Sequence, residues 1–343
     1  MPKIQLDVLI FDIDGVLIDV SESYRSAIRQ TVQLYLQDVL GLRPFAGGLV
    51  SPEDVAAFKL AGGFNNDWDL TIGILRYFVN MLDTDSSSAD SKNRAVTLDF
   101  LRQAGRRVNT SVEELAQRKD IPSFARAVGE TGGGLAAVGR ILGQHNDHLL
   151  VASGDRLDTN LVKRLFEEIY LGEEHFQEEY GELPLLYHGP GLIRRERRIA
   201  SLPALSSLAQ KLALGIATGR PRRQAQFALE TAAMTPYFRS LVAHEDILQA
   251  EQESGGGIRL GKPHPFALLQ AVRRITAQRV RCAYVGDTLD DVRAANSAKT
   301  EMDFLSIGCL APAGDKGAMR RDFERAGADM IIDHPDRLVE WTE

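Results

Sequence analysis

Past residue 205 the chain repeats a single pattern, a short apolar run followed by an amphipathic stretch. The runs are "LALGIAT" ending at Thr218, "SLVAHED" at Asp246, "CAYVGD" at Asp287, "FLSIG" at Gly308 and "DMIID" at Asp333. Helical periodicity fills most of the gaps, over Arg222–Ala233, Phe266–Ile275 and Asp290–Ala295. Brief strands without polar alternation, joined through helices, argue a parallel sheet whose crossovers cover both faces. The opening run, Val8 to Asp12, has the same character and is the natural partner strand, although a long insertion separates it from the others. The expected fold is α/β, a Rossmann-like, doubly wound parallel sheet.

The intervening residues read as helices. "ESYRSAIRQTVQLYLQDVL" carries apolar residues at helical spacing, and "SPEDVAAF" begins with Ser51 as N-cap and Pro52 in the first helical position. "LTIGILRYFVNML", "SFARAVG", "LVKRLFEEIYLG" and "EEHFQEEY" continue the theme. Residues 1–19 and 205–343 are therefore expected to form the α/β core and residues 20–204 a large inserted helical domain. Within it, "DTDSSSADSKN" (Asp83 to Asn93) is polar and small, as a mobile loop would be. "ETGGGLAAVG" and "ESGGGIRLG" share a triple glycine without forming a repeat.

Charge narrows the partners. Forty basic against 47 acidic residues leave a net charge of −7 with no basic stripe, so nucleic acid is not an expected partner. The densest basic run, "RRERR" (Arg194 to Arg198), reads as a solvated helix face. Cys282 and Cys309 sit in apolar runs and read as core residues in a reducing compartment. No apolar run approaches membrane-spanning length, and "MPKIQLDVLIFD" lacks the pattern of a signal peptide, so the expectation is a soluble cytoplasmic protein without a membrane partner.

Functional groups in an open parallel sheet gather at the carboxyl ends of the strands. Four such ends carry reactive residues: Asp12 and Asp14 in "FDIDGV"; Thr218, Gly219 and Arg220 in "ATGR"; Lys262 in "GKPHP"; and Asp287, Asp290 and Asp291 in "GDTLDD". Taken singly, each has an ordinary reading. Asp12 caps a turn, Thr218 is a turn residue, Lys262 lies on the surface, and Asp290 and Asp291 are first-turn helix acids favoured by the macrodipole. Their combination, in order and at strand ends, is far more specific.

On these four motifs the sequence resembles the haloacid dehalogenase-like superfamily, over residues 1–19 and about 205–343. The insertion after the first motif resembles that superfamily's helical cap, as in relatives of phosphoglycolate phosphatase and β-phosphoglucomutase. The resemblance implies an enzyme, a hydrolase of phosphomonoesters that uses Mg²⁺. Asp12 and Asp287 would ligate the ion through their side chains and Asp14 through its backbone carbonyl. Asp291 would orient a metal-bound water, with Asp290 an alternative for that place. Asp12 would attack phosphorus to form an aspartyl-phosphate, and Asp14 would act as general acid and base. Thr218, the N–H of Gly219 and Lys262 would hold the phosphoryl oxygens, and Gly15 would let the backbone pass close to them. The physical need for a cation is plain, since an anionic carboxylate will not approach an anionic ester unless a hard divalent ion offsets the repulsion.

Substrate choice is expected from the insertion. "AGGFNNDWD" (Ala61 to Asp69) offers Asn65, Asn66 and Asp67 as adjacent donors and acceptors; the alternative is a helix–helix turn with Trp68 packed inside. Arg220 reads either as a ligand for a second anionic group or as an arginine that is solvated or paired with the cap, and His188 in "YHGPGLIRRE" as a surface or packing residue. The expected substrate is a small phosphorylated metabolite such as a sugar, polyol or organic-acid phosphate. A phosphomutase shielding the same intermediate from water is the nearest alternative, and a non-catalytic binding protein the more distant one.

Overall fold

In a computed structural model, residues 4–64, 66–84, 98–255 and 257–342 are described. The chain separates into two compact units, Met1–Ser21 with Glu196–Glu343, and Glu22–Arg195. The first contains a six-stranded sheet of β1 (Val8–Phe11), β4 (Ala213–Ala217), β5 (Phe238–Val242), β6 (Arg281–Gly286), β7 (Asp303–Cys309) and β8 (Met330–Ile332), in the order β5-β4-β1-β6-β7-β8. Every pairing in it is parallel. All four residues of β1 are buried, as they must be in a central strand covered on both faces. Val8 and Ile10 pack into one core with Leu268, Ala271 and Val272 of the helix Phe266–Ile275 and with Ala294 and Ala295 of Leu289–Ala298. Cys282 belongs to that core as well, and burial pushes the Cys282 and Cys309 thiols up to about 12, where they stay protonated and inert.

Strand order reverses beside β1, so the switch point of the sheet lies at the carboxyl end of this strand. Register makes the neighbouring ends level. Phe11 stands opposite both Ile216 and Val285, so the residues that follow leave the sheet side by side.

A small antiparallel ladder, β2 (Ile18–Asp19) with β3 (Arg197–Arg198), closes the place where the chain leaves the first unit and returns. This corrects the expectation for "RRERR". Arg197 and Arg198 are exposed on a strand, not on a helix face, because β2 offers them an edge to pair with. Glu196 alone in that run turns inward. The return to the first unit falls at Glu196, ahead of residue 205, where the alternation of apolar runs and helices begins.

The second unit is helical. The segment "ESYRSAIRQTVQLYLQDVL" forms the helix Tyr24–Leu34, continued by a π-helical turn over Tyr35–Val39. Pro52–Ala61 starts with the expected cap, here a reciprocal capping box between Ser51 and Asp54. Its core is aromatic: Tyr24 stacks on Tyr170 at 4.1 Å and on Phe166 at 5.8 Å, and Trp68 meets Phe166 edge-on. The "AGGF" turn serves backbone contact. Gly62 accepts from the N–H of Gly134 at 2.9 Å, and a Cβ on Gly63 or Gly134 would run into the facing main chain. The expected mobile loop, Asp83 to Asn93, lies outside the described residues from position 85 onward. Among the described residues no helix is long and apolar enough to cross a membrane.

Candidate active site

Asp12 directly follows β1 and is anchored there, its N–H donating to Val285 of β6 at 2.9 Å. Asp12 is buried, and its carboxylate accepts from the N–H of Ile13 at 2.8 Å and pairs with Lys262 Nζ at 3.0 Å. Lys262 also reaches Asp291 Oδ1 at 2.7 Å and so bridges two carboxylates from different strand ends. Burial pushes Asp12 up to about 7; the ammonium of Lys262 opposes this, while Asp291 and Asp14 add to it. Lys262 behaves in the opposite sense. Burial disfavours its charge, yet the two carboxylates outweigh that and hold the ammonium above its ordinary range.

Asp291 explains why one of two adjacent aspartates enters the site. Thr288 caps the helix Leu289–Ala298 in a capping box: its hydroxyl accepts from Asp291 N–H at 3.2 Å, while Asp291 Oδ2 accepts from Thr288 N–H and Oγ1 at 2.9 and 2.7 Å. The other oxygen takes Lys262 and the hydroxyl of Tyr284, the latter at 3.1 Å. Against the cost of burial, Lys262 and Thr288 hold this carboxyl below the usual range. Asp290, one residue earlier, pairs with Arg293 at 3.0 Å. The T-x-x-D spacing in "GDTLDD" is the signal that separates the two aspartates. Tyr284 had a signal of its own, a hydroxyl in an apolar, buried stretch of strand that must find partners and finds Asp291 and the carbonyl of Ala217.

Asp12, Asp287 and Asp291 each present an oxygen within 4.8 Å of the others. Three carboxylates facing one ammonium leave excess negative charge among oxygen donors, which is the donor set a hard divalent cation takes. The residues present therefore fit such an ion. Gly15 makes the approach of Asp287 possible. It adopts a φ of 73°, and a Cβ there would collide with the Asp287 carboxylate.

Thr218 follows β4, buried, its N–H bonded to Val242 at 3.0 Å and its hydroxyl accepting from the N–H of Arg220 at 3.2 Å. Gly219 lies half-buried between them. Arg220 is not directed to solvent: its guanidinium contacts Asp14 at 2.5 Å and both oxygens of Glu196 at 3.0 Å. The candidates of the helical unit are occupied differently. Asn66 caps the helix Asp67–Asn80 by accepting from Asp69 N–H at 2.7 Å, Asp67 pairs with Lys59 at 3.1 Å, and Asn65 lies outside the described residues. Trp68 is packed inside its unit with Lys163 over its ring at 4.5 Å. His188 is exposed.

With this geometry in hand, comparison with known proteins decides the family. The model for haloacid dehalogenase-like hydrolases matches residues 6–299, most of the chain. The chain belongs to the haloacid dehalogenase-like hydrolase family. Among curated relatives of this hydrolase, a Phytophthora nicotianae protein named imidazoleglycerol-phosphate dehydratase is 26% identical over 332 residues, 94% of this chain and 49% of that protein. N-acetylmuramic acid 6-phosphate phosphatase of Pseudomonas aeruginosa is 25% identical over 191 residues, 55% of this chain and 70% of its own length. The chain thus spans about half the length of the first of these and somewhat more of the second. Among solved structures, a structural-genomics target designated ZR25 superposes with a TM-score of 0.67 at 20% identity, covering 97% of both chains. Phosphatase Tt82 from Thermococcus thioreducens gives 0.53 at 22% identity, covering 92% of this chain and 99% of its own. At these identities the two structures share the fold of this hydrolase.

Proposed function

We propose that this hydrolase is a Mg²⁺-dependent phosphatase of a small phosphomonoester, a sugar, polyol or organic-acid phosphate, acting through an aspartyl-phosphate on Asp12. The observation that carries the reading is the bridge from Lys262, in the loop before the helix Phe266–Ile275, to Asp12 and Asp291 beside Asp287, which joins the ends of β1 and β6 in one cluster. The phosphatase named among the relatives, with its phosphorylated-sugar substrate, supports the substrate class.

In this reading the side chains of Asp12 and Asp287 and the backbone carbonyl of Asp14 would hold Mg²⁺, which would neutralise charge between the carboxylate and the ester. Asp291, fixed by four donors, orients that group of ligands. Asp12 attacks phosphorus in line, forming the acyl-phosphate bond as the ester P–O bond breaks. Asp14 gives its proton to the departing alkoxide and later takes one from the water that hydrolyses the intermediate. Thr218, Gly219 N–H and Lys262 bind the equatorial oxygens, where the transferring group carries its charge.

Phosphate release from a panel of phosphorylated metabolites, with and without Mg²⁺, tests the assignment. Asp12→Asn should abolish release and the mass increment of one phosphoryl group on the trapped protein. Asp14→Asn should lower turnover by about 10²–10⁴-fold. Activity surviving Asp12→Asn overturns the covalent route, and formation of a positional isomer in place of phosphate marks a mutase.

A further inference from the structure

We propose that Arg220, itself held by Glu196, is a positioning residue that fixes the Asp14 carboxylate for proton transfer to the leaving group; the inference rests on the phosphatase reading. Arg220 is anchored at both ends. Its N–H donates to Thr218 Oγ1 and its carbonyl accepts from His244 N–H at 2.9 Å. The guanidinium is 1% exposed, and its donors divide between two carboxylates, with Nε and Nη2 on Asp14 Oδ1 at 2.5 Å and Nη1 and Nη2 on the two oxygens of Glu196 at 3.0 Å. Its fork is thereby committed to the protein's own acids. Arg220 is thus paired, but with Asp14 and Glu196 of the α/β unit and not with the insertion as the sequence suggested.

The arrangement suits a task that packing alone does not perform. Asp14 stands just before a turn, bridged to Ile18, with its carboxylate 25% exposed on a side chain with two rotatable bonds. A proton donor misplaced by an ångström forfeits much of its effect, so something must hold it in place. A guanidinium grips through a planar fork, which an ammonium on a flexible stem does not reproduce. Glu196 receives the opposite edge of that plane in a bidentate pair and prevents it from pivoting. As a device for stability alone, a buried acid–base–acid row is poor, because desolvation cancels most of the attraction. Glu196 is also the first residue of the α/β unit after the insertion, so the row ties the acid/base to the point where the chain re-enters.

The test uses leaving groups of differing need for protonation. A dinitrophenolate leaves unaided, whereas phenolate requires an acid, and kcat/KM reports the step in which the ester bond breaks. Wild type, Asp14→Asn, Arg220→Lys and Glu196→Gln are assayed on phenyl phosphate and dinitrophenyl phosphate with saturating Mg²⁺. Arg220→Lys should lose about 10- to 100-fold on phenyl phosphate and less than about threefold on dinitrophenyl phosphate, the same selective pattern as Asp14→Asn. Glu196→Gln should show it more weakly and decides the matter if Arg220→Lys does not fold. Equal losses on both esters, or no loss on either, overturn the positioning role while leaving the phosphatase reading intact. A wild-type protein inert toward both esters overturns that reading and this proposal with it.

Discussion

Asp12 illustrates the tension a buried nucleophile creates. The folded state binds its proton more tightly than the unfolded chain, since burial raises its pKa from 3.8 to about 7. A raised acid contributes stability that is full below about pH 4 and is lost as pH rises through about 7. In metal-free protein, wild type should therefore lose stability across this interval by a few kcal/mol, on the order set by ~1.4 kcal/mol per pH unit. Asp12→Asn has no proton to lose, so its advantage in melting temperature over wild type should grow from about pH 5 to about pH 8. Parallel curves for the two proteins would refute the argument. Asp12 was legible from sequence because it directly follows an apolar strand, and Asp14 because it stands two residues further on. The partners of Arg220 were not, since Asp14 lies 206 residues away and Glu196 lies in a run whose composition suggested a solvated face.

At the scale of the element, the helix Leu289–Ala298 performs two tasks with one cap. The box between Thr288 and Asp291 starts the helix and at the same time aims a carboxylate at Lys262. Thr288→Val should cost about 1–2 kcal/mol of stability through the lost cap and also lower turnover, because Asp291 loses the hydroxyl donor that helps aim its carboxylate. Asp290→Asn, which loses only the charge facing exposed Arg293 in the same turn, should stay within about 0.5–1 kcal/mol and keep its activity. Thermal melts and phosphate release on the two variants check both outcomes. Helix capping was readable locally: Ser51 and Pro52 begin their helix where the sequence puts them. The β2–β3 ladder was not, for two-residue strands have no periodicity to detect and exist only because the chain leaves and returns at one place.

At the scale of the molecule, that ladder makes the insertion separable in principle. Ile18 pairs with Arg198 and Asp19 with Arg197, so the ends of the first unit lie side by side before and after residues 22–195. Replacing those residues by a short glycine-rich hairpin linker should leave a protein with a single cooperative thermal transition and the circular dichroism of an α/β fold. A chain that is unfolded under native conditions would show that the sheet depends on the insertion. The alternation of apolar strands and helices after residue 205, and the reactive residues at strand ends, were set by local chemistry, because burial on both faces and termination of a strand each leave their mark within a few residues. Which aspartate turns inward, which carboxylates share Lys262 and what holds Arg220 were decided only by the tertiary structure. Each depends on charges drawn from distant segments into one buried volume, where the strength of every pairing is set by what else is there to desolvate or oppose it.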